Sequence, residues 1–455
     1  MSDSNTESRG SWNTKFGFIL AAAGSAVGLG NIWGFPTQVA DNGGAAFILI
    51  YLLCCLIVGF PLMIAEFTIG RNTQKNPVGA FKKLSNNNIY AALIGFWGVL
   101  CGLMILSFYL VISGWTLSFA LEEIVSYLGF NELANTLADL GNGYKNAIFT
   151  VLFGLLTIVI ITGGVSKGIE RATKTLMPIL LGILLILIIY IFTLEGSGEG
   201  LRMYVTPDFS TITPDLLLSA LGQAFFSLSL GMGALITYGS YLKKNQNVVE
   251  SAAYVTVADV GIAFVAGLLV IPAMFVAQAS GIQIFNPETG ALFSSVTLVF
   301  DVLPGLFGNI GGFLGTLVGF TFFILLGLAA LTSSISLLEV PVSYVIDEHN
   351  IKRKKAAWIV GGIVSVIAVI VSFNLNLIDV FVFIFNEIGL PLGGLMICIF
   401  LAYFWKTENA VLEMKNGFEN IEETSFPKIW TIFVKFICPV LIFIVLFTTL
   451  YNYIF

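Results

Sequence analysis

Apolar residues run along this chain in long blocks separated by short polar stretches. Eleven blocks reach the roughly 20 residues that a membrane-crossing helix needs. They cover residues 16–40, 44–70, 89–124, 146–163, 168–194, 214–242, 251–280, 308–346, 356–373, 377–405 and 427–453, and are numbered here as spans one to eleven. Residues 285–305, with Pro287 and Pro304 around a short apolar run, read instead as a folded loop between spans seven and eight.

Two spans break the pattern. In span one, Gly24-Ser25-Ala26-Val27-Gly28-Leu29-Gly30-Asn31 puts three glycines within seven residues, and each glycine costs a helix interior about 1 kcal/mol against alanine. Glycines in a span often serve only to let another helix pack close. Span six has a matching stretch, Gln223 to Gly233, with Ser227, Ser229, Gly231 and Gly233. Lipid cannot satisfy freed backbone groups, so unwound segments at membrane depth must be buried or line a cavity. Their half-helix ends then offer amides to an anion and carbonyls to a cation. Spans one and six each open a group of five, and five spans turn the second group upside down. The expectation is an all-α membrane protein of 11 transmembrane helices. It has a 5+5 inverted repeat with helices one and six interrupted, residues 1–194 and 214–405, plus one extra C-terminal helix at 427–453. The whole chain, 1–455, is read as a single transporter domain.

Composition agrees: 57% of the 455 residues are hydrophobic and only 11% charged, which excludes an ordinary soluble domain. Placing the amino terminus in the cytoplasm puts every Lys and Arg except Lys145, Arg202 and Lys435 on the inner side, and leaves the carboxyl terminus outside. The expected location is thus a cell membrane, crossed many times, and the absence of any Asn-x-Ser/Thr acceptor favours a prokaryotic inner membrane. All five cysteines lie within spans and read as packing residues. His349 is the single histidine, and the intramembrane carboxylates Glu66, Asp259 and Glu339 are scattered along the chain, so no catalytic or metal cluster is expected. Glu66 and Glu339 read as partners for backbone freed by the interruptions. No cofactor and no nucleic acid is expected; the partners are a small solute, a cation and the bilayer, with the oligomeric state left open.

Several stretches carry a specific resemblance. Trp12-Asn-Thr-Lys-Phe-Gly, Gly24 to Asn31, Asp41-Asn-Gly-Gly44, Gly114-Trp115-Thr, Gln223 to Gly233 and Ala329-Ala-Leu-Thr-Ser-Ser334 follow one another through spans one to eight. In that order they resemble the bacterial neurotransmitter:sodium symporters, whose leucine-transporter fold has interrupted helices one and six. The resemblance implies sodium-coupled import of an amino acid by alternating access, with two sodium ions as co-transported ligands and no catalytic residue. The first sodium would touch Ala26, Asn31, Ser227 and a span-seven position occupied here by Asp259. The second would touch Gly24, Val27, Ala329, Thr332 and Ser333. The substrate would meet Ser25, Ala26, Leu29, Gly30, Ile105, Tyr109, Phe226, Ser227, Ser229, Met232, Ser333 and Leu337. Glycine at position 28, where monoamine carriers of the family have an aspartate, implies an α-amino acid. The uncharged lining, with adaptable Met232, implies a neutral hydrophobic one, aromatic residues included.

Arg9, Trp12, Tyr241 and Asp347 match the family's cytoplasmic gate. The usual outer pair of arginine and aspartate is replaced by Gly34 and Val382, so Tyr109 and Phe226 would close the outer side by packing. Gly168 and Pro178 keep the family's glycine–proline spacing on span five. Asp259 stands where the family normally has an asparagine, and Ala263 where chloride-dependent members have a serine, although Tyr51, Gln223 and Ser227 of the chloride site remain. A fixed carboxylate beside the first sodium would make chloride unnecessary. The competing readings are a proton-coupled amino acid carrier of the same fold and a non-transporting amino acid sensor.

Overall fold

The computed structural model describes residues 10–285 and 293–454. Among these residues, nine helices are long and apolar enough to cross a membrane: Ala45–Thr73, Ile89–Tyr127, Gly143–Thr162, Val165–Ile191, Val248–Ala279, Gly312–His349, Arg353–Phe373, Asn376–Trp405 and Phe426–Ile454. Lys15–Ala26 and Gly30–Asp41 form a tenth span, broken and bent by 54°. Residues 214–242 form two shorter helices, Pro214–Ser227 and Ala234–Gly239, neither long enough to cross alone.

Local sequence explains where these helices begin. Thr14, Asn88, Thr213 and Asn247 cap the helices that follow them by accepting hydrogen bonds from first-turn amides. Pro214 then occupies a first-turn position where its missing N–H costs nothing. The expected loop around residue 300 contains a short apolar helix, Ser295–Ile310. Its Phe300 ring meets Trp33, Trp115, Phe119 and Phe323, which ties the loop to spans one, three and eight.

The two longest helices, Ile89–Tyr127 and Gly312–His349, pack along each other, and the second lies against the broken first span. Side chains such as Ile186, Ile189, Phe443 and Phe447 remain exposed, an apolar belt suited to lipid rather than water. Opposite the belt, the broken helices are buried, as backbone freed at membrane depth must be.

Candidate functional site

The second break sets the geometry of the site. Ser229, Gly231 and Gly233 all have positive φ, at 55°, 77° and 75°. A side chain at Gly231 would bring its Cβ within 2.2 Å of the Leu390 carbonyl oxygen, so glycine is required there twice over. Glu66 reaches across from span two, and its Oε1 accepts from the Gly231 amide at 2.8 Å. Glu66 thus partners freed backbone, as its position within an apolar span suggests.

Against this break lies the first one. Ser229 Oγ donates to the Ser25 carbonyl at 3.1 Å, and Gln223 Nε2 to the Gly30 carbonyl at 2.8 Å. The Leu29 amide donates to the Tyr109 hydroxyl at 3.1 Å. Ser25, Ala26, Gly28, Gly30, Ile105, Tyr109, Phe226, Ser229, Met232, Ser333 and Leu337 enclose a cavity of about 20 Å³. That holds about one water, so a larger solute enters only when the lining parts. At Gly28 a Cβ would come within 2.3 Å of Ser333 Oγ and 2.8 Å of the Tyr109 hydroxyl; at Gly30 it would press on the Phe226 ring at 2.8 Å. Phe226 also lines a larger cavity of about 540 Å³ that runs between spans one, six, ten and eleven. Its ring separates the two spaces.

Of the residues expected around the solute, Leu29 contributes its amide near the cavity rather than lining it, and Ser227 faces elsewhere. Ser227 Oγ donates to Asp259 Oδ2 at 2.8 Å, and Asn31 Nδ2 to Asp259 Oδ1 at 2.7 Å and to Ser227 Oγ at 3.0 Å. The Tyr51 hydroxyl donates to Ser227 Oγ at 3.0 Å. Three side chains, from spans one, two and six, therefore surround one buried carboxylate on span seven. Ala263, one turn beyond Asp259, adds no polar group.

On the other side of the first break, Thr332 Oγ1 donates to the Val27 carbonyl at 3.1 Å and the Ala329 carbonyl at 2.9 Å. Ser333 Oγ reaches the Ser25 and Val27 carbonyls at 3.1 and 3.5 Å. Gly24 completes the group, with space for a Cβ only in contact with Thr332, Thr173 and Met177. This second cluster is made of neutral hard oxygens, a donor set suited to an alkali cation and unsuited to a transition metal. Among the described residues no group of three or more His, Cys, Asp or Glu side chains is arranged to hold a metal.

The profile of the Sodium:neurotransmitter symporter family matches residues 9–140 and 127–454. This chain belongs to that family. Among its relatives are an uncharacterized sodium-dependent transporter of Bacillus subtilis, YhdH, 36% identical over 451 residues (95% of this chain and 96% of the relative). Another from Haemophilus influenzae is 32% identical over 472 residues, covering 98% and 99%. The crystal structure of MhsT in complex with L-phenylalanine superposes with a TM-score of 0.83 at 40% identity, covering 97% of this chain and 99% of MhsT. The family is one of sodium-dependent transporters, multi-pass in the membrane, and the leucine-transporter fold is that of its structural relative.

At one end of the molecule lies a cluster that sequence reading found only in part. Trp12 donates from Nε1 to the Tyr238 carbonyl at 3.1 Å and packs edge-on against Tyr238 and Tyr241. Arg9 lies outside the described residues. Asp347 accepts from the Asn76 amide at 2.8 Å and from its side chain at 3.1 Å. Glu339 was expected to serve freed backbone. Instead it takes both arms of Arg353, at 2.8 and 2.7 Å, and accepts from the Tyr241 hydroxyl at 2.6 Å. Arg353 opens the next span, and a forked guanidinium within reach outcompetes a backbone amide for a buried carboxylate. The signal was available: a lone intramembrane acid followed, after one turn-forming asparagine, by a basic run. Span five opposite begins with a widened turn, Val165–Glu170, in which Gly168 sits so close to the Ile160 carbonyl that any side chain would collide.

Proposed function

We propose that this protein is a sodium-coupled importer of neutral hydrophobic amino acids, aromatic ones included, working by alternating access without chloride. The observation that carries this reading is the convergence of both broken helices on one small apolar cavity, flanked on either side by a cluster of hard oxygens. The cavity lining holds no charged side chain, and its polar groups are those an α-amino acid needs. The Leu29 amide, Gly30 and the Tyr109 hydroxyl face a carboxylate; carbonyls near Ala26, Phe226 and Ser229 face an ammonium. Ile105, Met232 and Leu337 take the side chain, and Met232 adapts to different shapes. MhsT, with L-phenylalanine bound, supports an aromatic within the range.

Two sodium ions travel with the substrate in this account. Ala26, Asn31, Ser227 and Asp259 hold the first, with the substrate carboxylate beside it. Gly24, Val27, Ala329, Thr332 and Ser333 hold the second. Binding of both ions draws the halves of span one together and stabilises the closed cavity. The count is eleven spans when residues 214–242 are taken as a broken sixth, with repeats at 1–194 and 214–405. The basic loops then put the amino terminus in the cytoplasm. In that orientation the cluster of Trp12, Tyr241, Glu339, Arg353 and Asp347 is the inner gate. Phe226 and Tyr109 divide substrate from the outer cavity in place of an ion pair at Gly34 and Val382.

Purified protein in liposomes tests the reading. An imposed sodium gradient should drive uptake of radiolabelled phenylalanine and leucine, with unlabelled hydrophobic amino acids competing and charged ones not. Accumulation driven by a pH gradient alone would indicate proton coupling, and saturable binding without accumulation would indicate a sensor.

A further inference from the structure

A groove of about 410 Å³ lies at the end of the molecule that carries the Trp12 and Glu339 cluster, where the short helix Pro77–Leu84 meets the start of span three. Lys75, Lys82, Lys83, Asn86 and Asn87 line it. Among the described residues the lining holds one carboxylate, Glu348, engaged by Lys82 at 2.7 Å, which leaves the charge of Lys75 and Lys83 over. Lys83 donates to the Thr73 carbonyl at 3.1 Å. Burial, and then the charges of Lys244 and Lys75 nearby, outweigh the carboxylate of Glu413 and push its pKa below that of an ordinary lysine. Such crowding is relieved by an anion.

What distinguishes this groove from a plain basic patch is its neighbour. Span three begins at its rim, and Ile89, Tyr90, Leu93 and Phe96 follow at helical spacing, 63%, 77%, 56% and 45% exposed. One continuous surface therefore runs from two surplus lysines and two asparagine amides to an uncovered apolar stripe, with a tyrosine at the junction. An amphiphile with an anionic head matches it end to end: phosphate in the groove and an acyl chain along Leu93 and Phe96. We propose that this groove binds the headgroup of an anionic phospholipid. The cytoplasmic-leaflet assignment rests on the orientation proposed above; the binding itself does not.

The site touches the gate. Asn76, at the foot of the same short helix, donates from its side chain to Asp347 at 3.1 Å and to Glu348 at 3.2 Å. Pro77 packs against the unwound span six so closely that a Cβ on Gly233 would lie 2.7 Å from its ring. A lipid that holds Lys75 and Lys83 steadies the connection bearing Asn76 and Pro77, and with it the closed inner side.

Retention of lipid by the full-length protein tests this. Solubilised protein is incubated with equimolar phosphatidylglycerol and phosphatidylcholine, and bound lipid is counted by native mass spectrometry. Wild type should favour phosphatidylglycerol roughly tenfold or more, as two surface lysines at a headgroup imply, and less so at high salt. Lys75→Gln with Lys83→Gln should abolish the preference, whereas Lys75→Arg with Lys83→Arg should keep it, which separates lost charge from lost folding. Millimolar inorganic phosphate should not displace the lipid. Equal retention of both lipids by wild type, an unchanged preference in the double glutamine variant, or displacement by phosphate alone would each overturn the proposal. None of these readouts depends on sodium-driven uptake, so failure here leaves the transport reading intact, and the reverse.

Discussion

In the proposed mechanism the ion chemistry turns on Asp259. It is fully buried; Asn31 and Ser227 direct donors at it, and the Tyr51 hydroxyl lies 3.5 Å from Oδ2. An ionised carboxylate at this depth costs at least ~2.5 kcal/mol unless it has a partner, and a sodium ion beside it is such a partner. Uptake should therefore be unchanged when gluconate replaces chloride. Asp259→Asn should raise the sodium concentration for half-maximal uptake by roughly tenfold or more, since one full charge beside the ion is removed. Adding Ala263→Ser to that variant should restore affinity only when chloride is present. Chloride-dependent uptake by wild type would contradict the role given to Asp259. At the second cluster, Thr332→Val with Ser333→Ala removes two hydroxyls and no charge, and should abolish coupled uptake while the melting temperature stays near wild type. Retained sodium dependence in that variant would remove the second ion from this position. Legibility at this scale was uneven. Asn31, Thr332 and Ser333 are ordinary polar residues in isolation and gained meaning only from the ordered motifs around them. Ser227 was read as facing both ion and substrate, and its hydroxyl turns to Asp259 because a buried carboxylate is the stronger acceptor.

The broken sixth helix depends on backbone that only glycine adopts comfortably. Gly231→Ala meets both a positive φ and the Leu390 carbonyl, so it should destabilise the protein by about 1–3 kcal/mol or more, read as a lower melting temperature with sodium present. The Glu339–Arg353 pair makes the opposite point. Both side chains are largely buried, 0% and 11% exposed. Arg353→Gln leaves a buried carboxylate unpaired, which should cost ~3–5 kcal/mol, whereas Glu339→Gln with Arg353→Gln should cost less. Thermal melts of the three proteins check this order; a double variant less stable than the single one would contradict it. Helix boundaries were legible to within a few residues: residues 89–124 and 377–405 appear as Ile89–Tyr127 and Asn376–Trp405, since apolar runs end where polar caps begin. The helix Ser295–Ile310 was not, because its apolar face packs on Trp115 and Phe323 from distant spans, a tertiary contact with no local signature.

At the scale of the molecule, two cavities meet at Phe226, and a buried cluster forms around Trp12. The order of motifs conveyed the membrane fold and the transporter class, whereas the proposed inner gate needed Arg353 folded back onto Glu339. The proposed topology rests on the basic loops: a tag after Phe455 should be reached by an impermeant reagent on intact cells, and one before Met1 should not. Labelling of both ends from outside would contradict eleven spans. The central claim is that sodium, bound at the two breaks of span one, drives an apolar amino acid inward. It is tested most directly by phenylalanine uptake into liposomes with sodium or choline outside. The account predicts accumulation above the external concentration with sodium, abolished by choline and by collapse of the sodium gradient; equal uptake in sodium and choline would contradict it.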